Sequence, residues 1–195
     1  MRPVTSDSIQ GTVVHLRPAT SDDKWMIYHG LARSDLTDTL VGHPDQSQTP
    51  VLTWQAFCND YVSHYFDDSE PYAGRCFVIE VSGRAVGQVN YNEIDKTKKR
   101  TELDIWMFCE AECGHGYGPD ALTAICEYLS QRFDVREFVM GPSASNERAI
   151  RAYEKAGFGK TGVPPEEAKR EYGPGDSIDT IYMTKSIEQA DAADG

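Results

Sequence analysis

Three glycines at alternate positions, Gly114, Gly116 and Gly118, followed at once by Pro119, restrict the fold of this chain more than any other feature. Before them, residues 101–108 read as a strand. After them, Leu122, Ile125, Cys126 and Leu129 form an apolar stripe at helical spacing. The backbone must therefore pass from strand to helix through a sharp turn. Glycine permits the turn and lets a ligand approach the main chain closely. Pro119 suits a first helical turn, where its missing N–H costs nothing. A helix start also presents unpaired N–H groups and about half a positive charge. The turn is thus a candidate anion site, even beside Glu110 and Glu112. Two familiar phosphate motifs fail. The third glycine of a Rossmann turn falls at Pro119, and no Gly-Lys-Ser/Thr follows as in a P-loop. Taken alone, the glycines fit a bare strand-to-helix connection equally well.

The flanking pattern is mixed α/β. Residues 12–17 read as a first strand. Ser21, with Asp22 and Asp23 behind it, caps a helix to about Leu31. Residues 33–51 hold Gly42, Pro44 and Pro50 and read as a loop, and Thr53 caps a second helix carrying Trp54, Phe57, Tyr61 and Tyr65. Residues 76–81, 85–91 and 101–108, joined by short turns, predict an antiparallel meander. A helix over about 117–132, a strand over 137–140, a helix over 145–156 ended by Gly157, and final strands over 158–161 and 180–185 follow. The expectation is one domain over residues 11–187, with residues 1–10 as a flexible N-terminus and 188–195 as a disordered tail.

With 195 residues, 39% hydrophobic and 26% charged, the chain can bury a core without disulfides or metal. Its five cysteines include no CxxC pair. Cys109 and Cys113 have no second ligand pair, so no metal site is expected. No apolar run is long enough for a bilayer and no signal peptide is recognisable, which predicts a cytoplasmic protein without a membrane partner. A net charge of −12 argues against nucleic acid and suits a cationic substrate, although plain solubility explains it too.

A second segment supplies context for the turn. Residues 142–158, with Asn146, Ala149, Tyr153, Gly157 and Phe158, resemble the Asn-x-x-Ala-x-x-x-Tyr-x-x-x-Gly-Phe segment of the GNAT superfamily of acyl-CoA N-acyltransferases. Gly116 and Gly118 match that superfamily's Arg/Gln-x-x-Gly-x-Gly/Ala cofactor loop, with Cys113 where Arg or Gln is usual. In its fuller form the chain looks most like the aminoglycoside 6′-N-acetyltransferases and the siderophore-biosynthesis acetyltransferases. The resemblance implies a mixed, mostly antiparallel sheet of about six to seven strands flanked by about four helices. It also implies direct acetyl transfer from acetyl-CoA, the acyl-donor substrate, to a primary amine of a small cationic acceptor, by a monomer or homodimer.

It implies residue roles as well. Cys113, Gly114, His115, Gly116, Tyr117 and Gly118 would cradle the pyrophosphate, mainly through main-chain N–H groups. Asn146 would contact the pantetheine arm, as would the backbones of Trp106 and Phe108. Tyr153 would serve as the acid near the CoA sulfur. Asp104 takes the place of a fourth-strand aspartate, as base or ammonium anchor, with Glu102 two residues earlier on the same strand face as the second candidate. A free alkylamine has a pKa of about 10.4, so a base near it is useful at neutral pH. Bland alternatives accompany each role: solvated edge carboxylates for Asp104 and Glu102, packing for Tyr153, a helix cap for Asn146, a solvated loop residue for His115. Other functions considered are acylation of a siderophore precursor or a protein N-terminal amine, and a non-catalytic acyl-CoA sensor.

Overall fold

Alternating apolar positions over the middle of the chain assemble the centre of a sheet, and everything else is arranged on its two faces. The computed structural model describes residues 8–37, 52–161 and 180–188. In chain order the elements are β1 (Ile9–Gln10), β2 (His15–Pro18), α1 (Lys24–Ala32), α2 (Trp54–Asp60), β3 (Arg75–Val81), β4 (Arg84–Tyr91), β5 (Arg100–Met107), α3 (Tyr117–Phe133), β6 (Glu137–Met140), α4 (Glu147–Lys155), β7 (Gly159–Lys160) and β8 (Met183–Ser186). The strand order is β1-β2-β3-β4-β5-β6-β8-β7. Each neighbouring pair is antiparallel except β5 and β6, which are parallel because α3 crosses over between them.

Eight strands are described rather than six or seven. β7 falls within the strand expected at 158–161; the addition is β1, whose two residues are too few to show a period in sequence. β1 also corrects the expectation of a loose end at residues 8–10. Ile9 is buried in the main core, and Ile9 and Gln10 pair with Leu16 and His15. Residues 1–7, 38–51, 162–179 and 189–195 lie outside the described residues, and with them most of the expected 33–51 loop and the tail.

The two sheet faces carry separate cores. One buries Phe77, Ile79, Val89, Leu103 and Phe138 against the stripe of α3, where Leu122, Ile125, Cys126 and Leu129 are all wholly buried. The other packs Cys76, Val78 and Trp106 against Ile27 and Tyr28 of α1 and Phe57 of α2. Thr53 caps α2 as expected, its Oγ1 accepting from Ala56 N–H at 3.1 Å. A 3-10 turn, Ser21–Asp23, leads into α1, and its N-cap is Thr20, one residue before the expected Ser21. Thr20 donates to Asp23 Oδ2 through both its N–H, at 2.8 Å, and its hydroxyl, at 3.0 Å. Arg17 then holds Asp23 through two nitrogens, at 2.9 and 3.0 Å.

Candidate active site

The groove begins where two strands part. β5 pairs with β6 only at Arg100, Thr101 and Glu102, opposite Glu137, Phe138 and Val139. Past Glu102 the strands diverge. On its other side β5 stays in register with β4 to Met107. Asn92 N–H donates to Glu102 O at 3.0 Å, and Phe108 N–H donates to Val86 O at 2.9 Å. Even-numbered residues of β5 therefore turn their main-chain groups toward β4. Ile105 and Met107 turn theirs toward the parted edge. Both line a cleft of about 310 Å³ together with the glycine turn and α4. An edge of this kind can pair with a ligand that carries amide groups.

The glycine turn closes one end of the cleft. Gly114 and Gly116 have φ of 81° and 85°, the left-handed region that favours glycine, and Gly116 caps α3. Gly118 is different. It sits in the first turn of α3 without positive φ, and a Cβ there would meet no protein atom within 4 Å. Nothing in the fold demands glycine at 118, yet the residue lines the cleft. The bare backbone there leaves room for a ligand to come close. The cradle thus fits the pyrophosphate of an acyl-CoA: a helix N-terminus, open backbone and no side chain in the way.

Opposite the turn, Arg148, Arg151 and Lys155 of α4 line the same cleft. Their spacing of three and four residues puts them on one face of the helix. Arg148 also bonds Glu110. This basic face lies inside a chain of net charge −12 and was not anticipated, although its helical spacing is plain in the sequence. Cys113 lies here too; burial pushes its thiol pKa up while Arg148 pulls the other way.

The other expected residues are placed as follows. Tyr153 lines the cleft. Burial, and then the negative charge of Asp104, raise its hydroxyl pKa well above the ordinary value, so it stays protonated at neutral pH. Asp104 stands on β5 just past the β5–β6 pairing, half-buried, its Oδ2 accepting from Asn90 Nδ2 and Asn92 Nδ2, each at 3.2 Å. Glu102 stands within the paired part, opposite Val139. Its charge acts instead on Tyr182, whose pKa burial and Glu102 both raise. Asn146 lines the cleft, and its Oδ1 caps α4 by accepting from Ala149 N–H at 3.0 Å. Trp106 lines the cleft as well.

One expectation is displaced. Phe108 gives its N–H to β4, and its ring lies against Gly30 of α1, so the groove-facing backbone is that of Ile105 and Met107. His115 directs Nε2 to Ala111 O at 3.1 Å and stacks on Tyr117. Its side chain is bound to the turn itself.

Comparison with known proteins bears on the family and the fold. Residues 14–159 match the family described as an acetyltransferase (GNAT) domain. The aminoglycoside N(6')-acetyltransferase type 1 of Klebsiella pneumoniae is 30% identical over 159 residues, covering 77% of this chain and 76% of that protein, and the enzyme of the same name from Serratia marcescens matches equally. Among solved structures, the aminoglycoside acetyltransferase AAC(6')-Ib with coenzyme A and kanamycin superposes with a TM-score of 0.63 at 22% identity, covering 89% of this chain and 94% of that one. The microcin C7 self-immunity acetyltransferase MccE, with acetyl-CoA and AMP, superposes with a TM-score of 0.70 at 17% identity, covering 94% and 98%.

Proposed function

Because the chain belongs to the GNAT acetyltransferase family, we propose that it moves the acetyl group of acetyl-CoA onto a primary amine of a small polycation of the aminoglycoside type. It is an acetyltransferase, and acetyl-CoA is its acyl donor. The α3 N-terminus and the basic face of α4 suit the phosphates. The turned-out backbone of Ile105 and Met107 suits the two pantetheine amides and leaves an N–H for the thioester carbonyl.

The chemistry needs a neutral amine, a polarised carbonyl and a stabilised sulfur. Asp104 anchors the incoming ammonium and accepts its first proton directly or through water, which frees the lone pair. The nitrogen then attacks the thioester carbon, the new C–N bond forms, the C–S bond breaks, and a second proton leaves the nitrogen and ends on the departing thiolate. Tyr153, kept neutral by burial and by Asp104, donates a hydrogen bond to the departing thiolate. The observation that carries this reading is the cleft at the parted β5 edge, lined by the glycine turn, the basic face of α4 and Tyr153, with Asp104 next to Ile105 on the same strand. The resemblance to aminoglycoside acetyltransferases supports the acceptor class, as does the acidic balance of the chain. Acetylation removes one cationic charge from such a drug, which is how the enzyme would confer resistance, and a cytoplasmic location fits that role.

The test is thiol release from acetyl-CoA across kanamycin, polyamines, hydroxamate precursors and peptide N-termini. Kanamycin leading the panel by about tenfold or more in kcat/KM supports the proposal. A peptide or hydroxamate leading instead replaces the acceptor and keeps the enzyme.

A further inference from the structure

Asp104 is the end point of a buried polar ladder. Gln88, Asn90 and Asn92 occupy alternate positions at and just past the end of β4, so they share one face, the face of Asp104, which is opposite Asn90 in the β4–β5 register. Gln88 and Asn90 are buried, where three polar side chains in a row are costly unless satisfied. They are satisfied, and in one direction. Cys76 Sγ donates to Gln88 Oε1 at 2.8 Å, and Gln88 Nε2 donates to Asn90 Oδ1 at 3.1 Å. Tyr61 Oη donates to the same oxygen at 3.1 Å. Asn90 Nδ2 donates to Asn92 Oδ1 at 3.0 Å and to Asp104 Oδ2 at 3.2 Å. Tyr65 Oη donates to Asn92 Oδ1 at 3.0 Å, and Asn92 Nδ2 donates to Asp104 Oδ2 at 3.2 Å.

The donor inventory leaves the amides no second arrangement. Asn90 Oδ1 receives two donors, and both its amide protons are used. A flip would set its NH₂ against Tyr61 and Gln88 donors and its oxygen against a carboxylate. Asn92 is fixed in the same sense by Tyr65. A structural purpose alone is met more simply by apolar residues on a sheet face, and half-satisfied polar groups would be worse than none. Tyr61 is kept neutral by burial, with the Asp104 charge adding to it, so its hydroxyl stays a donor to the ladder.

We propose that Asn90 and Asn92, aligned by Tyr61, Gln88 and Tyr65, are positioning residues that fix the Asp104 carboxylate for the acceptor amine. They act through Asp104 and touch neither acetyl-CoA nor the reacting nitrogen. The inference rests on the proposed transfer to an amine, and its test separates the two. Asn92→Ala and Tyr65→Phe are measured with whichever amine the wild-type protein acetylates best, alongside CoA affinity and melting temperature. Tyr65→Phe removes one hydroxyl and leaves the core volume intact, which guards against a folding failure in Asn92→Ala. The expected result is a fall of about tenfold in acceptor kcat/KM for Asn92→Ala and a smaller fall for Tyr65→Phe, with CoA affinity within about twofold of wild type. In an Asp104→Asn background, Asn92→Ala lowers the rate no further, because the group it positions is gone. In ¹⁵N-labelled protein, Asp104→Asn shifts the Asn90 and Asn92 side-chain amide signals. Overturning results are an Asn92→Ala protein with unchanged acceptor kcat/KM, losses shared equally by CoA affinity, or amide signals indifferent to Asp104→Asn. A wild-type protein that acetylates no amine removes the functional reading first, and this inference with it.

Discussion

The Asp104 carboxylate on one face of the sheet acts on the Tyr153 hydroxyl packed against the other. Ordinarily a sheet screens its two faces from each other. Here β5 pairs with β6 only as far as Glu102, so Asp104 stands beside an open edge of the strand. Removing either group therefore has a distinct kinetic signature. Asp104→Asn is expected to lower acceptor kcat/KM by about 10² or more, and Tyr153→Phe to lower kcat by about tenfold, both with little effect on CoA affinity. Steady-state thiol-release kinetics check this. Rates within twofold of wild type for both variants contradict the assignment.

At Gly118 stability and binding are expected to separate. A methyl group there meets no protein atom, and alanine is the better helix residue by about 0.5–1 kcal/mol. Gly118→Ala is thus expected to melt no lower than wild type and yet to weaken CoA binding, as calorimetric titration will report. Arg151→Ala and Lys155→Ala also weaken CoA binding and reduce its sensitivity to salt.

Asp120 ties the N-terminal hairpin to the first turn of α3. Its carboxylate accepts from the N–H of Thr12 at 2.9 Å, of Val13 at 2.7 Å and of Val14 at 2.9 Å. Burial opposes ionisation, but these donors outweigh it and hold the group below the ordinary carboxylate range. A depressed pKa means stability that is present above the unfolded value of about 3.9 and lost as pH falls through the lower folded value. Asp120→Asn is expected to cost about 1 kcal/mol or less at pH 7, since solvent screens the group, the difference from wild type closing below about pH 4. Denaturant melts at several pH values measure it, and a pH-independent difference counts against the account.

Phe108 has exchanged the groove for a packing role. A Cβ on Gly30 would come within 2.3 Å of Phe108 Cδ1. Gly30→Ala is expected to destabilise by about 1–3 kcal/mol through overpacking, with Phe108→Leu restoring part of the loss in thermal melts.

Elements with a clear period were legible in the sequence. The β3–β5 meander, the apolar stripe of α3, residues 137–140 as a strand and the Thr53 cap all appear where the pattern places them. Short-range patterns gave out where tertiary contacts decide. A two-residue strand leaves no period, so β1 does not show in the sequence, though Ile9 fills a core position. Helix α2 stops at Asp60, so Tyr61 and Tyr65, on helical spacing in the sequence, reach the polar ladder from the turn beyond it. The main chains of Trp106 and Phe108 turn to β4 and those of Ile105 and Met107 to the gap, an alternation that only the β4 register fixes. The basic face of α4 was present at positions 148, 151 and 155, but the net charge of the whole chain gave no hint of a local cluster.

The most direct test is product analysis with kanamycin and acetyl-CoA. The account predicts one new N-acetyl group on a primary amine of the drug for each free thiol released, and a rate that collapses in Asp104→Asn. Tight acetyl-CoA binding with no thiol released in the presence of kanamycin, polyamine, hydroxamate precursor or peptide amine would contradict it.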